Sequence, residues 1–325
     1  MEKIEILDFD DNISLVALNG EYLTSKNFIT NPAIARDDEI KKLIMVLLTP
    51  EKSGLLVGKA GIGKTAIVEG LAYRIQMGKV PERLLGYKIL KITANSLVGT
   101  MFYKGREELI MSVFVNEAKS LSKTIIFIDE VHTLMGGKGA GPMDLANILK
   151  PVIDRGDVKV IGATTAEEYY AYIIRDRAFL RRFEKIDVLE PDRETTIKIL
   201  QETLPKIEKQ TKISFKYKDF VAKQLMESIV DATSEFKRIY GLSAMYPDVA
   251  FSVLSQAFSQ ALFADRKAVE LIDVYNAIKT SKRIYPDSIV KELESFRTKF
   301  QTLADKENVV FPDVTLNDVE AIQEF

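Results

Sequence analysis

The stretch that decides the fold is Gly58-Lys59-Ala60-Gly61-Ile62-Gly63-Lys64-Thr65. It fits the pattern G-x-x-x-x-G-K-[ST] without a mismatch, and it lies between an apolar run, Leu55–Val57, and a helix-forming run, Ala66–Met77. Glycines let backbone N–H groups converge on phosphate oxygens, and the N-terminus of the following helix adds positive potential. Because a strand and a helix flank the loop, a chance glycine-rich turn is the weaker interpretation.

The loop therefore predicts a site for ATP or ADP, with its eight residues and Ala66 as the nucleotide-binding residues. Lys64 is expected to reach the β- and γ-phosphates. The Thr65 hydroxyl is expected to ligate Mg²⁺.

A second acidic element lies about sixty residues downstream, where the apolar run Thr124–Ile128 ends in Asp129 and Glu130. Taken alone, a strand that ends in two acids is common and often has no catalytic role. After a phosphate loop it becomes the expected partner, with Asp129 orienting Mg²⁺ and Glu130 orienting or deprotonating the attacking water.

Short apolar runs alternate with longer helix-like stretches from Ile34 to about Asp187. The runs are Leu55–Val57, Ile89–Ile92, Ile125–Ile128, Val158–Ile161 and Ile186–Leu189. This alternation predicts an α/β domain with a mostly parallel sheet. From Pro191 to about Arg283 the pattern becomes helical. One buried stripe is predicted there, formed by Phe251, Leu254, Phe258 and Leu262.

The predicted organisation has four parts. They are a leader with short strands at 1–30, a large α/β ATPase domain at 31–190, a smaller helical domain at 191–284, and a tail at 285–325 that holds one amphipathic helical stretch.

The amino-acid composition excludes several kinds of functional site. The chain of 325 residues has no cysteine and one histidine, His132, which excludes disulfides, thiolate zinc sites, a cysteine nucleophile and a multi-histidine metal site. The 45 basic and 47 acidic side chains nearly balance, so nucleic acid is not indicated as a partner. With no signal-like start and no apolar run of about 20 residues, a membrane is not indicated and a cytoplasmic location is expected.

Several motifs resemble those of the Clp family of AAA+ ATPases, specifically the first ATPase tier of ClpA, ClpB and ClpC. They are Asn31–Ile40, Gly63–Ala72, Gly78–Glu82, Phe127–Thr133 and Gly162–Tyr169. The resemblance implies a phosphate-loop domain, its parallel sheet sandwiched by helices, followed by an all-helical lid. It also implies a ring, usually a hexamer, with ATP at each subunit interface.

The same resemblance assigns further site residues. Thr165 would sense the γ-phosphate, Arg181 and Arg182 would be arginine fingers for the neighbour's ATP, and Ile34 and Pro247 would lie at the nucleotide. A guanidinium neutralises charge on the transferring phosphoryl group, although an Arg-Arg pair alone is more often a solvated surface.

Tyr103-Lys104-Gly105 corresponds to the family's pore loop, in which an aromatic residue grips an extended polypeptide. Without the resemblance, a partly buried tyrosine on a loop would be the better interpretation. The glycine-rich run Gly136–Gly141 is either a second, flexible channel loop or a long linker. His132 receives no chemical role.

The sequence also departs from the family. Ala35 precedes Arg36 where the family has glycine, and Met245–Asp248 contains no nucleotide-sensing arginine, so no second sensor is assigned. An adaptor domain, a second phosphate loop, a coiled-coil insertion and an Ile-Gly-Phe or Ile-Gly-Leu tripeptide are missing. A single-tier relative is therefore expected, and docking to the ClpP peptidase is not.

The sequence is compatible with two functions. The first is an ATP-driven ring that remodels or unfolds protein substrates by threading them. The second is a nucleotide-controlled assembly switch that acts on a scaffold, a membrane complex or nucleic acid without threading. A dead ATPase that serves as an interaction module is disfavoured, because Asp129, Glu130, Thr165, Arg181 and Arg182 are all present.

Overall fold

The computed structural model describes residues 20–103, 106–135, 148–149, 153, 158–240 and 245–323. The chain divides into two compact units. One comprises residues up to Lys59 together with Lys64–Val188, and the other comprises Ala60–Gly63 together with Leu189–Phe325. The four-part division predicted above remains a prediction.

The described residues of the first unit form a six-stranded sheet and a separate hairpin. In chain order, the strands are β1 Glu21–Tyr22, β2 Ser53–Val57, β3 Lys88–Thr93, β4 Thr100–Tyr103, β5 Arg106–Leu109, β6 Thr124–Asp129, β7 Val158–Thr164 and β8 Phe183–Asp187. The sheet order is β1-β3-β6-β7-β2-β8, and β4 and β5 form the hairpin. Among the strands in the described part of the chain, β1 is antiparallel to its neighbour in this sheet and the others are parallel to theirs. All five residues of β2 and the first five of β6 are buried, because both faces of a parallel sheet are covered.

Helices of the first unit connect these strands. They are α1 Asp37–Leu48, α2 Lys64–Gln76, α3 Ile110–Ala118, α4 Ala166–Glu168 and α5 Arg177–Arg182, with a π-helical turn at Tyr169–Ile173. Single 3-10 turns occur at Leu23–Ser25, Glu82–Leu84, Ala94–Leu97 and Val131–Leu134. The predicted α/β fold with a mostly parallel sheet is confirmed.

One predicted strand, Ile186–Leu189, is wrong at both ends. Strand β8 begins at Phe183, which is buried and pairs with Ser53, whereas Leu189 lies beyond the strand and is 72% exposed. The start of the strand was predicted too late for two reasons. Phe183 follows two arginines, and Glu184 and Lys185 separate it from the next buried residue of the strand.

The second unit is helical, as predicted. Its helices are α6 Arg193–Thr211, α7 Asp219–Ala232, α8 Asp248–Phe263, α9 Leu271–Lys279, α10 Pro286–Glu307 and α11 Leu316–Gln323, with a 3-10 turn at Glu235–Lys237. Two short parallel strands accompany them, β9 Ser214–Phe215 and β10 Ala268–Val269. The amphipathic stretch predicted in the tail lies in α10, and its apolar side chains belong to the core of this unit: Ile289, Leu293, Phe296 and Phe300.

The stripe predicted on α8 is only partly correct. Leu254 and Phe258 are buried and Phe251 is half-buried, but Leu262 is 51% exposed. Each four-residue step along a helix advances the side chain about 40° beyond a full turn. By the last turn this drift takes Leu262 off the buried face, where Ala261 lies instead.

None of the helices in the described part of the chain combines the length and the apolar character needed to span a bilayer.

Candidate nucleotide site

The predicted phosphate loop joins the end of β2 to the start of α2. Gly61 and Gly63 have φ values of +73° and +100°, in the left-handed region that glycine adopts without strain. The N–H of Gly58 donates to the carbonyl of Thr164 at 3.3 Å, which ties the start of the loop to the end of β7. Two of the motif's glycines are therefore required by backbone conformation.

Lys64 is the first residue of α2, and its ammonium turns back to the loop. Nζ donates to the carbonyls of Gly58 at 2.7 Å and Lys59 at 3.0 Å. Burial lowers the pKa of the Lys64 ammonium below its ordinary value, and nearby carboxylates, Asp129 first, oppose that shift. Two of the three ammonium hydrogens are thus committed to the loop, and the partial burial of Lys64 strengthens its interaction with an added anion.

Thr65 and Asp129 lie in direct contact. The Thr65 hydroxyl donates to Oδ2 of Asp129 at 3.1 Å, although the two residues are 64 positions apart. The contact arises because β6 ends at Asp129, on the same edge of the parallel sheet where β2 feeds the loop. A hydroxyl and a carboxylate oxygen side by side are the hard donors that Mg²⁺ takes from a protein when phosphates supply the rest. The residues present therefore fit the predicted ion.

Glu130 has a backbone conformation that the sequence did not predict. Its φ of 54° and ψ of 41° are left-handed, although it is not glycine, and its side chain is exposed. Its N–H donates to Oδ1 of Asp129 at 3.1 Å, and its carbonyl accepts from the backbone N–H and the hydroxyl of Thr133. Strained backbone of this kind is maintained where surrounding structure over-determines it, often at functional sites.

Thr165 follows β7 and caps the short helix α4. Its hydroxyl accepts from the N–H of Glu168 at 3.2 Å and donates to Oε2 of Glu168 at 2.8 Å. The same Oε2 accepts from the N–H of Thr165 at 3.0 Å and lies 3.0 Å from Nδ1 of His132. Sequence reasoning left both Glu168 and His132 without a role, yet the Thr-x-x-Glu spacing is a capping-box signal.

The predicted fingers lie at the opposite end of the sheet from the loop. Arg181 and Arg182 end α5 just before Phe183, which pairs with Ser53, the first residue of β2. Nζ of Lys52 donates to the carbonyl of Arg181 at 2.9 Å, and Nη1 of Arg182 donates to the carbonyl of Ala178 at 3.3 Å. The phosphate loop begins at the other end of β2. The arginines and the loop are therefore separated by the length of this five-residue strand, about 13 Å.

The segment that precedes α1 carries the departure noted in the sequence. Ile34 is 6% exposed, and Ala35 has a φ of +55°. The family's glycine would adopt this conformation freely, whereas the Cβ of Ala35 makes it costly. Pro247, the other residue predicted to lie at the nucleotide, belongs to the second unit as the N-cap of α8.

Tyr103 ends β4 and pairs with Arg106 of β5. Its side chain is half-buried and packs on the hydrophobic core of the first unit. The other predicted channel residues, Lys104, Gly105 and the run 136–141, lie outside the described residues.

Comparisons with known proteins identify the family to which the chain is similar. The family model for the "ATPase family associated with various cellular activities (AAA)" matches residues 54–190. The chaperone ClpB of Porphyromonas gingivalis is 36% identical over 286 residues, covering 87% of this chain and 31% of the relative. ClpB of Bacteroides thetaiotaomicron is 38% identical over 253 residues, covering 77% of this chain and 28% of the relative.

Solved structures of Hsp104 are similar along most of the chain. A closed-state cryo-EM reconstruction of Hsp104 with ATPγS and FITC casein matches with a TM-score of 0.69 and 29% identity, over 95% of this chain and 52% of the other. The Hsp104–casein complex of S. cerevisiae in its extended conformation matches with a TM-score of 0.69 and 30% identity, over the same shares. The chain spans about a third of the length of the ClpB relatives and about half of the Hsp104 chains.

A parallel sheet with a phosphate loop, an acidic strand end and these similarities define a nucleotide-binding AAA+ ATPase. Within that class the chain belongs to the Clp family, and it resembles one ATPase tier of ClpB and Hsp104.

Proposed function

We propose that this chain hydrolyses ATP in a ring of identical copies and that the ring remodels or unfolds protein substrates by threading them. The observation that carries the hydrolytic part is the hydrogen bond between Thr65 and Asp129, with Glu130 next in the chain. The remodelling part is supported by similarity to ClpB chaperones and to Hsp104 structures solved with casein.

Each side chain of the site has a distinct part in the proposed reaction. Lys64 holds the β- and γ-phosphates, and Glu130 orients and deprotonates the attacking water. Thr65 and Asp129 would hold Mg²⁺, which neutralises charge that develops on the phosphates. Thr165 donates to the γ-phosphate.

The distance between the arginines and the loop supports a ring. Arg181 and Arg182 lie beyond the far end of β2 from the loop of their own chain. If these two arginines stabilise the transferring phosphoryl group, they do so at the loop of a second copy. We propose a homo-hexamer in which these residues complete the neighbour's site.

The experiment that tests the proposal is a Glu130→Gln variant compared with Glu82→Gln, which removes an exposed carboxylate from the same unit. Glu130→Gln should bind ATP, assemble into a ring, retain protein substrates and lose turnover by about 10²-fold or more, because the general base is gone. Glu82→Gln should match the unaltered chain. Full turnover in Glu130→Gln, or a monomer at saturating ATP, would overturn the proposal.

One observation favours the assembly switch as a second candidate. Tyr103 packs on the core of its own unit, which would limit its use as a gripping side chain. A Tyr103→Ala variant separates the two candidates, with Tyr240→Ala, which removes a 95% exposed tyrosine, as control. If the chain threads substrates, stimulation of ATPase activity by an unfolded protein collapses in Tyr103→Ala alone. If it is a switch, stimulation depends on a particular partner and not on Tyr103.

A further inference from the structure

The hydroxyl of Thr165 already uses its single hydrogen. It donates to Oε2 of Glu168 at 2.8 Å and accepts from the N–H of Glu168 at 3.2 Å. A hydroxyl has one donor hydrogen, and the oxygens of a γ-phosphate accept hydrogen bonds. In this arrangement Thr165 has no hydrogen to offer a phosphate.

Other groups besides the Thr165 hydroxyl contact the carboxylate of Glu168. Its Oε2 also accepts from the N–H of Thr165 at 3.0 Å and from the hydroxyl of Thr164 at 3.4 Å. The same oxygen lies 3.0 Å from Nδ1 of His132. Burial would raise the pKa of Glu168, but the hydrogen bonds from Thr165 outweigh it and hold the pKa below its ordinary value. The carboxylate is therefore ionised at neutral pH and is a strong competitor for the Thr165 hydrogen.

We propose that Glu168 sets how strongly this chain prefers ATP to ADP, by competing with the γ-phosphate for the hydroxyl hydrogen of Thr165. The inference rests on the proposed function, because it takes Thr165 as the residue that contacts the γ-phosphate. Glu168 is a specificity-determining residue that acts through Thr165.

The competition affects the two nucleotides differently. ADP leaves the bond between Thr165 and Glu168 intact, since it has no γ-phosphate. ATP gains a hydrogen bond from Thr165 only when that hydroxyl leaves Glu168, so part of the binding free energy is lost in breaking the first bond. Glu168 keeps its bonds from the N–H of Thr165 and its contact with His132, so the carboxylate stays in place after the hydroxyl has turned.

Removing the competitor should therefore strengthen ATP binding and leave ADP binding unchanged. A hydrogen bond to a charged group contributes enough that its loss changes a binding constant by about tenfold. We expect Glu168→Ala to raise the ratio of ADP to ATP dissociation constants about tenfold. Glu168→Gln, which keeps the shape of the cap but accepts a weaker hydrogen bond, should raise it by roughly threefold.

The experiment measures ATP and ADP dissociation constants by titration calorimetry in the full chain, on a Glu130→Gln background that prevents turnover. Glu167→Ala is the matched control, because Glu167 is the exposed neighbour and both carboxylates act on Lys64. A general effect of charge would appear equally in both variants. If Glu168 has only a structural role, its replacement would weaken the binding of ATP and ADP equally and leave the ratio of their dissociation constants unchanged.

Thr165→Val distinguishes failure of this inference from failure of the proposed function. If Thr165→Val lowers the ratio while Glu168→Ala and Glu168→Gln leave it unchanged, the inference is wrong and the site assignment stands. If Thr165→Val leaves the ratio unchanged even in a Glu168→Gln background, where the competing bond is weakened, Thr165 does not contact the γ-phosphate and both are wrong. In a Thr165→Val background, Glu168→Gln should have no effect on the ratio. Should Glu168→Ala fail to fold, Glu168→Gln carries the test.

Discussion

The hydroxyl of Thr65 donates to the carboxylate of Asp129 across 3.1 Å, so the first turn of α2 is fastened to the end of β6. The bond fixes the two halves of the phosphate site relative to each other within the first unit. It also explains why the acidic strand end belongs with the loop although 64 residues separate them.

Asp129→Asn tests the role of charge at this contact. The amide oxygen can still accept from Thr65, so the fold and ADP binding should persist, while Mg²⁺-dependent ATP hydrolysis should fall by about 10²-fold or more. Steady-state turnover measured over a range of Mg²⁺ concentrations checks this. Asp38→Asn, which alters an exposed carboxylate on α1, should leave turnover unchanged. Equal turnover in the two variants would contradict the assignment.

Ala35→Gly should stabilise the first unit. Ala35 has a φ of +55°, a conformation that costs an L-residue about 1–2 kcal/mol and glycine almost nothing. Glycine loses more backbone entropy on folding, by about 0.5–1 kcal/mol, so a net gain of roughly 0.5–1 kcal/mol is expected. Urea unfolding, followed through the transition of the first unit, measures it. A loss of stability would show that Ala35 does not have this conformation.

Gly70→Ala should destabilise the first unit, although alanine favours helices. A Cβ on Gly70 would overlap the Cβ of Ala33 and lie 2.9 Å from Cδ1 of Ile40. Overpacking of this kind costs about 1–3 kcal/mol. Adding Ala33→Gly removes the main overlap and should restore part of the stability. A double variant less stable than Gly70→Ala would refute the close approach as the cause.

Two phenylalanines on α8 provide a matched pair for the second unit. Phe258 is 1% exposed and Phe263 is 93% exposed. Phe258→Ala should cost about 3–5 kcal/mol of unfolding free energy because it leaves a cavity, whereas Phe263→Ala should change it by less than about 0.5 kcal/mol. Denaturant unfolding of both variants tests the orientation of the helix. Similar losses in the two would mean that α8 is rotated.

The stability contributed by Glu168 should depend on pH. Its folded-state pKa lies below the ordinary value of 4.5, so the ionised carboxylate stabilises the fold above pH 4.5. That contribution is lost as the pH falls through the folded-state pKa, because protonation then breaks the hydrogen bonds. The stability difference between the unaltered chain and Glu168→Gln should be constant near neutral pH and shrink below about pH 4.5. A difference that does not vary down to about pH 3 would contradict this.

Much of the first unit could be predicted because its central strands are covered on both faces. A strand such as β6 is an uninterrupted apolar run that ends in acids, and the loop after β2 has a pattern that few other structures need. The spacing of the motifs singled out Lys64, Thr65 and Asp129. In the structure Lys64 contacts the loop, and Thr65 contacts Asp129.

The remainder was missed for two different reasons. The contact between Glu168 and Thr165 has a local signal, the Thr-x-x-Glu spacing, that was not used, whereas other contacts have no local pattern. The left-handed backbone of Glu130 follows from hydrogen bonds to Asp129 and Thr133, and nothing about a glutamate favours it. The predicted burial of Leu262 failed because the stripe drifts around the helix.

The order of strands in the sheet has a consequence for biosynthesis. Strand β2 carries the phosphate loop, yet it pairs only with β7 and β8, which lie more than 100 residues later in the chain. A ribosome that has just made the loop has not yet made either neighbour, so β2 has nothing to pair with at that time. The nucleotide loop is therefore synthesised early but takes shape late, after Asp187 has emerged, and until then the nascent chain exposes an apolar strand that could associate wrongly.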